Sequence, residues 1–301
     1  SGNYTPYTRD QDSVLRVKPL GVSDANVSEF DESVRSMVAV MATKLKRILA
    51  ASSKMSHYGG YRSGKLQSSA LHKVISGDDR VFTRKVEHNA EETAVSLLID
   101  LSGSMRSGRP SRLMLACVSA AVFGETLHRI GINFEIIGFT TSVTRRVGYI
   151  SHSVKRMFSR FTPLDTYEFK KFGEKYSRDT KKALLSASNG KGVVCAENID
   201  GESVQIALDR LATQPEKRKI LIVLSDGLPS SGYEDRSVLS RHLYDVVKKG
   251  EKDGFEIIGI GIQTDTVKKY YDNSVVVRDL SKLPTEVMKR IEEIVRTSSR
   301  K

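Results

Sequence analysis

Cysteines and long apolar runs are scarce in this chain of 301 residues. Only two cysteines occur, which excludes a disulfide framework. Both Cys117 and Cys195 lie in apolar surroundings that favour burial as small hydrophobic side chains. No stretch approaches the ~20 consecutive apolar residues of a membrane-spanning helix, and the polar first residues contain no signal-peptide core. We therefore expect a globular, cytoplasmic protein.

The residue groupings that catalysis needs are also missing. No Gly-x-x-x-x-Gly-Lys-Ser/Thr phosphate-binding loop occurs. The six histidines are scattered along the chain rather than grouped with a nucleophile and an acid: His57, His72, His88, His128, His152 and His242. A catalytic ion would need a neighbouring general base and a substrate pocket. The sequence therefore predicts neither a catalytic site of its own nor ATP hydrolysis by this chain.

The formal net charge of +12 is concentrated in one part of the chain. Residues 145–191 hold twelve Lys or Arg and four Asp or Glu, whereas acids and bases nearly balance elsewhere. Three interpretations fit this segment: a solvated helical insertion, a surface that docks an acidic protein partner, or a contact with nucleic acid.

The first 93 residues differ in pattern from the rest. Residues 1–23 are polar and aperiodic, which predicts an extended arm. Apolar residues then recur at helical spacing and predict an amphipathic helix over about 27–52, capped by Asp24, Asn26 or Ser28. A short second helix is predicted from Leu66 to Ile75, and these elements together form a helical entry segment and linker over residues 24–93.

Residues 94–298 alternate between predicted strands and predicted helices. The apolar run at 95–99 is typical of a strand buried on both faces. Further strands are predicted at 133–139, 219–224, 255–262 and 274–277, and helices at about 110–130, 201–212, 236–250 and 284–297. The alternation predicts an α/β domain with a doubly wound, mostly parallel sheet between two layers of helices, with the basic segment 145–191 as a helical insertion.

Two of these strands end in residues that suit a metal ion. The strand at 95–99 leads into Asp100-x-Ser102-x-Ser104, and a later strand ends in Ser-Asp-Gly with Asp226 as its carboxylate. Ligands of such sheets bind at the carboxyl ends of the strands, near a topological switch point, so we expect both aspartates there. Taken singly, Asp100 could cap a helix and Asp226 could form a turn. Together with two hydroxyls they predict a Mg²⁺ site, and the absence of nearby His or Cys disfavours Zn²⁺.

This combination resembles the metal-ion-dependent adhesion site of von Willebrand factor A domains. The resemblance implies that the ion keeps one coordination position open for an acidic side chain of a partner protein. It also implies a binding and assembly module rather than an independent enzyme.

One ligand of those adhesion sites is absent from the sequence. Such sites usually add a threonine before the helix that precedes the second strand, but here that place reads Ala-Glu-Asn-Ile-Asp-Gly-Glu over 196–202. Glu197, Asn198 or Asp200 could replace the threonine, directly or through water. Thr162 is an outside candidate because it precedes a different segment. A third carboxylate would make the site more acidic and would tighten Mg²⁺ binding.

Longer stretches resemble the carboxyl-terminal part of the CobT subunit of aerobic, ATP-dependent cobaltochelatase. These stretches are Val95–Gly138, Glu197–Glu202, Pro215–Pro229, Arg241–Leu243, Ile258–Ile262 and Tyr270–Tyr271. The similarity spans roughly residues 27–297, and the Asn-Ile-Asp-Gly-Glu segment is specific to this group. The chain is therefore identified as a member of the CobT-like family.

The resemblance implies a role in inserting cobalt into a corrin ring during cobalamin biosynthesis. The partners that it implies are a CobS-like AAA+ ATPase and a CobN-like large chelatase subunit, which binds cobalt and the tetrapyrrole. The chain itself would be a non-catalytic subunit that couples ATP-driven motion to cobalt insertion and docks partners through its Mg²⁺ face.

Two departures keep another assignment open. Family members usually carry a longer amino-terminal region with an acidic stretch, whereas this chain is basic and opens with Ser-Gly-Asn rather than methionine. We therefore expect a shortened or divergent relative, or a sequence from which upstream residues are missing. The alternative is a von Willebrand factor A partner of a MoxR-type AAA+ ATPase that matures another metalloenzyme, with a nucleic-acid-binding module less favoured.

Overall fold

The computed structural model describes residues 3–52, 56–61, 65–66, 82–86, 92–145, 147–230 and 236–298. Seven strands form the main sheet: β1 (Ser13–Arg16), β5 (Thr93–Asp100), β6 (Asn133–Thr141), β7 (Leu164–Lys170), β8 (Arg218–Ser225), β9 (Glu256–Ile262) and β10 (Ser274–Val277). A second, three-stranded sheet contains β2 (Ser56–Tyr61), β3 (Lys65–Leu66) and β4 (Phe82–Val86).

The order of strands in the main sheet is β1-β7-β6-β5-β8-β9-β10. Five neighbouring strands run parallel to one another: β6, β5, β8, β9 and β10. β7 is antiparallel to β6, and β1 is parallel to β7. The chain adds strands on one side of β5 and then crosses to its other side to form β8. The topological switch point therefore lies between the carboxyl ends of β5 and β8, where ligands bind in such sheets.

Helices cover both faces of the sheet. They are α1 (Asp24–Ser52), α2 (Arg112–Arg129), α3 (His152–Lys155), α4 (Arg178–Ser188), α5 (Asp200–Ala212), α6 (Arg236–Lys252) and α7 (Met288–Ser298). α1 packs against α2, α4 and α7 over one apolar core, while α5 and α6 pack together over the other. The predicted α/β fold with a mostly parallel sheet is thus confirmed.

The sequence accounts for the central elements because their apolar patterns are simple. Every residue of β5 is buried, as expected for a strand with helices on both faces. Ser111 begins α2 by accepting a hydrogen bond from the Met114 N–H. At Gly138 in β6, a Cβ atom would lie 2.5 Å from the Leu101 side chain, so any other residue would force the buried Leu101 to move.

The prediction of a helical insertion over 145–191 was wrong. The segment contributes strand β7 to the sheet, between the very short α3 and the longer α4. The error arose because β7 carries charged residues that are nevertheless buried: Glu168 pairs with Arg210, and Lys170 donates to the Phe134 carbonyl at 2.5 Å. The charge count concealed a paired, buried strand.

Corrections also apply to the first 93 residues. The predicted extended arm includes strand β1, which pairs with β7. The first predicted helix is confirmed as α1, which begins three residues earlier than predicted. Leu66 belongs to β3 rather than to a helix, and residues 67–75 of that predicted second helix lie outside the described residues. No described helix has the length and apolar character that crossing a membrane requires.

Candidate metal centre

Three aspartates meet at the carboxyl edge of the sheet. Asp100 ends β5, Asp226 directly follows β8, and Asp200 begins α5. All three are buried, with 0%, 5% and 1% of their surface exposed. The Ser225 hydroxyl donates to Asp100 Oδ2 at 2.9 Å and lies 3.5 Å from Asp200 Oδ2, so it joins two of the carboxylates.

The carboxylates repel one another in this buried setting. Burial, and then the charge of Asp226, raises the pKa of Asp100 to about 7. Burial, and then the charges of Asp100 and Asp226, raises the pKa of Asp200 well above its usual range. Such shifts mean that the folded protein disfavours the three negative charges together unless a cation balances them.

Hydrogen bonds fix the orientation of two of these carboxylates. The Ser102 N–H donates to Asp100 Oδ1 at 2.8 Å. The side-chain amide of Asn198 donates to Asp200 Oδ1 at 2.7 Å and to the Leu228 carbonyl at 2.8 Å. These donors leave each carboxylate with an oxygen turned toward its neighbours, held in place before any ligand arrives.

Other oxygens at this edge have free coordinating capacity. Asp226 Oδ1 is buried without a hydrogen-bond partner, and its Oδ2 lies 3.7 Å from Nη1 of Arg112. The hydroxyls of Ser102 and Ser104 lie 3.1 Å apart, and Ser104 is exposed. An unpartnered buried carboxylate oxygen beside other carboxylates and hydroxyls is the donor set that a hard divalent cation such as Mg²⁺ accepts.

The donors do not form a closed cage. Among the described residues, no three His, Cys, Asp or Glu side chains are grouped as ready-made ligands of one ion. A site that combines a few carboxylates with hydroxyls and waters needs no such cage, because Mg²⁺ usually keeps several waters. The open side is the one on which Ser104 is exposed.

This geometry separates the predicted metal ligands into those that lie together and those that do not. The structure brings together Asp100, Ser102, Ser104 and Asp226, and it adds Asp200 from the three proposed replacements of the threonine. Asn198 serves as a hydrogen-bond donor to Asp200. That these oxygens bind an ion stays a prediction.

The other two candidates do not join this group. The half-buried side chain of Glu197 lines a cavity beside the site, and burial raises the pKa of its carboxyl. Thr162 lines the same cavity, and its carbonyl accepts from Arg160 at 3.1 Å.

Sequence reasoning missed Ser225 and Arg112. Ser225 precedes Asp226 in the Ser-Asp-Gly motif, so its position was visible although its role was not. Its hydroxyl also accepts from the Gly227 N–H at 2.9 Å, which closes the turn after β8. Arg112 carries no motif, and only the fold places it beside Asp226.

A second buried carboxylate network lies two residues beyond Asp200. Glu202 accepts hydrogen bonds from Tyr4 (2.5 Å), Arg9 (2.8 Å) and Arg160 (2.5 and 3.2 Å). Arg160, which is 1% exposed, also forms two bonds to Asp12 at 2.8 and 2.9 Å. Burial acts to raise the pKa of Glu202, but the hydrogen bonds and charge of Arg160 outweigh it, and the pKa is lowered.

A family model and a curated relative each match most of this chain. The family model for the von Willebrand factor A (VWA) domain of the cobalamin biosynthesis protein CobT matches residues 81–297. A curated relative, the uncharacterized protein YojO of Bacillus subtilis (strain 168), is 24% identical over 250 residues. That alignment covers 78% of this chain but 35% of YojO, so the chain spans about a third of the length of this relative.

Solved structures with a similar fold include two proteins of very different origin. The PilB minor pilin of Streptococcus sanguinis has a TM-score of 0.48 and 15% identity, over 73% of this chain and 64% of the pilin. The manganese-loaded TRAP protein of Plasmodium vivax has a TM-score of 0.43 and 17% identity, over 68% of this chain and 74% of that protein.

Proposed function

Since the chain belongs to the family of CobT VWA domains, we propose that it is a metal-dependent protein-interaction subunit of an ATP-dependent, cobaltochelatase-like complex. In this role it couples a CobS-like AAA+ ATPase to a CobN-like subunit that inserts cobalt into a corrin ring. Cobalt is the cargo of that complex, whereas Mg²⁺ is the resident ion of this chain.

The observation that carries the proposal is the unbalanced charge at the carboxyl edge. Two other buried aspartates, Asp100 and Asp200, lie close to Asp226, whose Oδ1 has no hydrogen-bond partner. We propose that Asp100, Asp226, Ser102 and Ser104 hold the ion, with Asp200 in place of the usual threonine. The bound ion supplies a coordination position for an acidic side chain of the partner.

The remaining residues of the edge orient these donors and shape the approach of a partner. Ser225 and Asn198 hold Asp100 and Asp200 in fixed positions through their hydrogen bonds. The partly exposed Arg112, beside Asp226, adds a positive charge at the rim. A basic rim around a cation favours an acidic partner segment and speeds its encounter.

A binding measurement and a co-purification test the proposal together. We expect calorimetry to detect Mg²⁺ binding to the chain, and loss of that binding in Asp100→Ala. We further expect an AAA+ ATPase to co-purify with the tagged chain in Mg²⁺ and nucleotide, but not with Asp100→Ala. Asp253→Ala, an exposed change at the end of α6, is the matched control and should behave like the unaltered chain.

Two outcomes would change the proposal. Unaltered co-purification by Asp100→Ala would contradict a docking role for the ion. Co-purification of a MoxR-type ATPase, with no chelatase subunit, would move the chain to the maturation of another metalloenzyme.

A further inference from the structure

A groove lies beside the candidate metal centre and shares a backbone segment with it. Its volume is about 510 Å³, which is within the range of ligand-binding clefts. Thr141, at the end of β6, and the following Ser142 form one wall, and Ala196 and Glu197 form another. The Ala196 carbonyl accepts from the Gly103 N–H at 2.7 Å, directly beside Ser102. A molecule bound in the groove would therefore lie next to Ser102, one of the residues that we propose to hold the metal ion.

The groove combines exposed apolar side chains with one carboxylate. Val143 and Tyr149 line it and are 47% and 98% exposed, and Phe161 supplies a second aromatic ring. The Glu197 carboxylate also lines it. In the part of the chain that the structure describes, Glu197 Oε1 and Oε2 accept no hydrogen bond and form no ion pair.

Each of the two described cations that line the groove, Arg145 and Lys155, has an interaction. Arg145 pairs with the buried Asp165, and Lys155 has interactions of its own. Among the described residues that line the groove, Glu197 is therefore the charged side chain that is left for a ligand, and Tyr149 and Phe161 line the same groove.

We propose that this groove binds an arginine side chain of the partner segment whose carboxylate reaches the metal ion. A guanidinium pairs with a carboxylate through two parallel hydrogen bonds and stacks on aromatic rings such as Tyr149 and Phe161. A lysine ammonium offers a point charge without the planar stacking surface. Glu197 thus determines specificity for the arginine.

The position of Glu197 limits the spacing of the partner's two groups. Glu197 follows Ala196, which touches the Ser102 loop, so the groove and the ion are separated by a short stretch of backbone. The partner segment therefore carries its arginine within a few residues of its metal-binding carboxylate. This spacing rests on the proposed function, whereas the recognition of arginine does not.

The recognition step is tested with short peptides in the presence of EDTA. One peptide carries a single arginine between glycines, and its partner carries citrulline, which has the same shape without the charge. By calorimetry or ligand-observed NMR, we expect the arginine peptide to bind ~10-fold more tightly, as one charged hydrogen-bonded contact provides. Glu197→Gln should abolish this preference, and Tyr149→Ser should weaken binding of the arginine peptide.

A matched control guards against a general charge effect. Glu29→Gln removes an equivalent charge from the exposed surface of α1 and should leave the preference intact. Equal binding of the two peptides, or an arginine preference that survives Glu197→Gln, would overturn the proposal.

A second measurement separates this proposal from the function of the ion. A peptide that carries both an arginine and an aspartate is titrated with and without Mg²⁺. If Asp100→Ala removes only the gain from Mg²⁺, both proposals stand. If Mg²⁺ gives no gain but the arginine preference persists, the metal-dependent function fails and the groove remains. If Mg²⁺ gives a gain without any arginine preference, the groove fails alone.

Discussion

Asp200 and Glu202 lie two residues apart on the first turn of α5, and their surroundings are opposite. Both are buried, with 1% and 6% of their surface exposed. Asp200 meets two further aspartates, and burial and their charges raise its pKa. Glu202 meets Arg160, Arg9 and Tyr4, and in spite of its burial these donors lower its pKa. One helical turn therefore divides an unbalanced charge cluster from a balanced one.

The comparison shows how a buried carboxylate can serve folding or binding. A buried charge with a complete set of partners can be tolerated, because hydrogen bonds replace its hydration. A buried cluster of like charges weakens the folded state until a cation binds. The Glu202 network thus holds the amino-terminal residues against α5, whereas the Asp200 cluster keeps an unbalanced negative charge that a bound cation would offset.

The largest expected effect comes from a change in the Glu202 network. Arg160→Leu removes the guanidinium that bridges Asp12 and Glu202 and leaves two carboxylates without their main partner. We expect the free energy of unfolding to fall by ~3–5 kcal/mol, as for other buried ion pairs that lose one partner. Urea denaturation measures this change.

A change at Arg9 is the matched control, because Arg9 pairs with the same carboxylate but is 65% exposed. Arg9→Leu should cost at most ~1 kcal/mol, the usual limit for an exposed ion pair. Equal losses in the two variants would show that Glu202 does not depend on Arg160, and the contrast with Asp200 would weaken.

The next effect concerns the cluster of Asp100, Asp200 and Asp226, and it depends on pH. The pKa of Asp100 is about 7 in the folded chain, against 3.8 for the ordinary group. Between these values the folded state binds a proton that the unfolded state has lost, so stability falls as pH rises from about 4 to about 7. We expect a loss on the order of 2–4 kcal/mol across this window in metal-free buffer. Denaturation at a series of pH values measures it.

Two comparisons identify the source of that pH dependence. Asp100→Asn removes one of the cluster's two carboxyls with a raised pKa, keeps an acceptor for the Ser102 N–H, and should make the fall between pH 4 and 7 less steep. Saturating Mg²⁺ should restore the stability of the unaltered chain near pH 7, since the ion favours the charged carboxylates. A steep fall that persists in Asp100→Asn would assign the effect to Asp200, whose pKa is also raised. His242 cannot cause such a fall, because its lowered pKa makes stability rise with pH.

The sequence predicted the Asp200 cluster better than it predicted the Glu202 network. Asp100 and Asp226 follow apolar strands, and the rule that parallel strands place ligands at their carboxyl ends was enough to bring them together. Asp200 was one of three candidates, because the choice among Glu197, Asn198 and Asp200 depends on how α5 begins. Only the coordinates show that Asn198 donates to Asp200 and that Glu197 faces the groove.

The Glu202 network left no comparable signal in the sequence. Its members, Tyr4, Arg9, Asp12 and Arg160, are separated from Glu202 by up to 198 residues, and none belongs to a periodic pattern. The arm and the basic segment read as polar and charged, which predicts solvent exposure. The pairing of opposite charges in three dimensions reversed that prediction for Arg160 and for the buried residues of β7.

A smaller effect than that of Arg160 is expected from Tyr4, at the edge of the Glu202 network. Tyr4→Phe removes the hydroxyl that donates to Glu202 but keeps the ring, which stacks on His242 at 3.9 Å. We expect a loss of ~1–2 kcal/mol, toward the low end for a hydrogen bond to a charged group, because the Tyr4 side chain is partly exposed. Limited proteolysis should show faster cleavage in residues 3–12 of the variant.

The same variant tests whether the two regions are separate. A Cβ atom at Gly201 would lie 2.3 Å from Nδ1 of His242, so the start of α5 packs tightly against the ring on which Tyr4 stacks. If the regions are independent, Tyr4→Phe loosens the arm and leaves Mg²⁺ affinity unchanged. A drop in Mg²⁺ affinity would mean that displacement of Glu202 also moves Asp200. Asp200 and Glu202 would then move together at the start of α5, and docking of the amino-terminal arm would control the affinity for the ion.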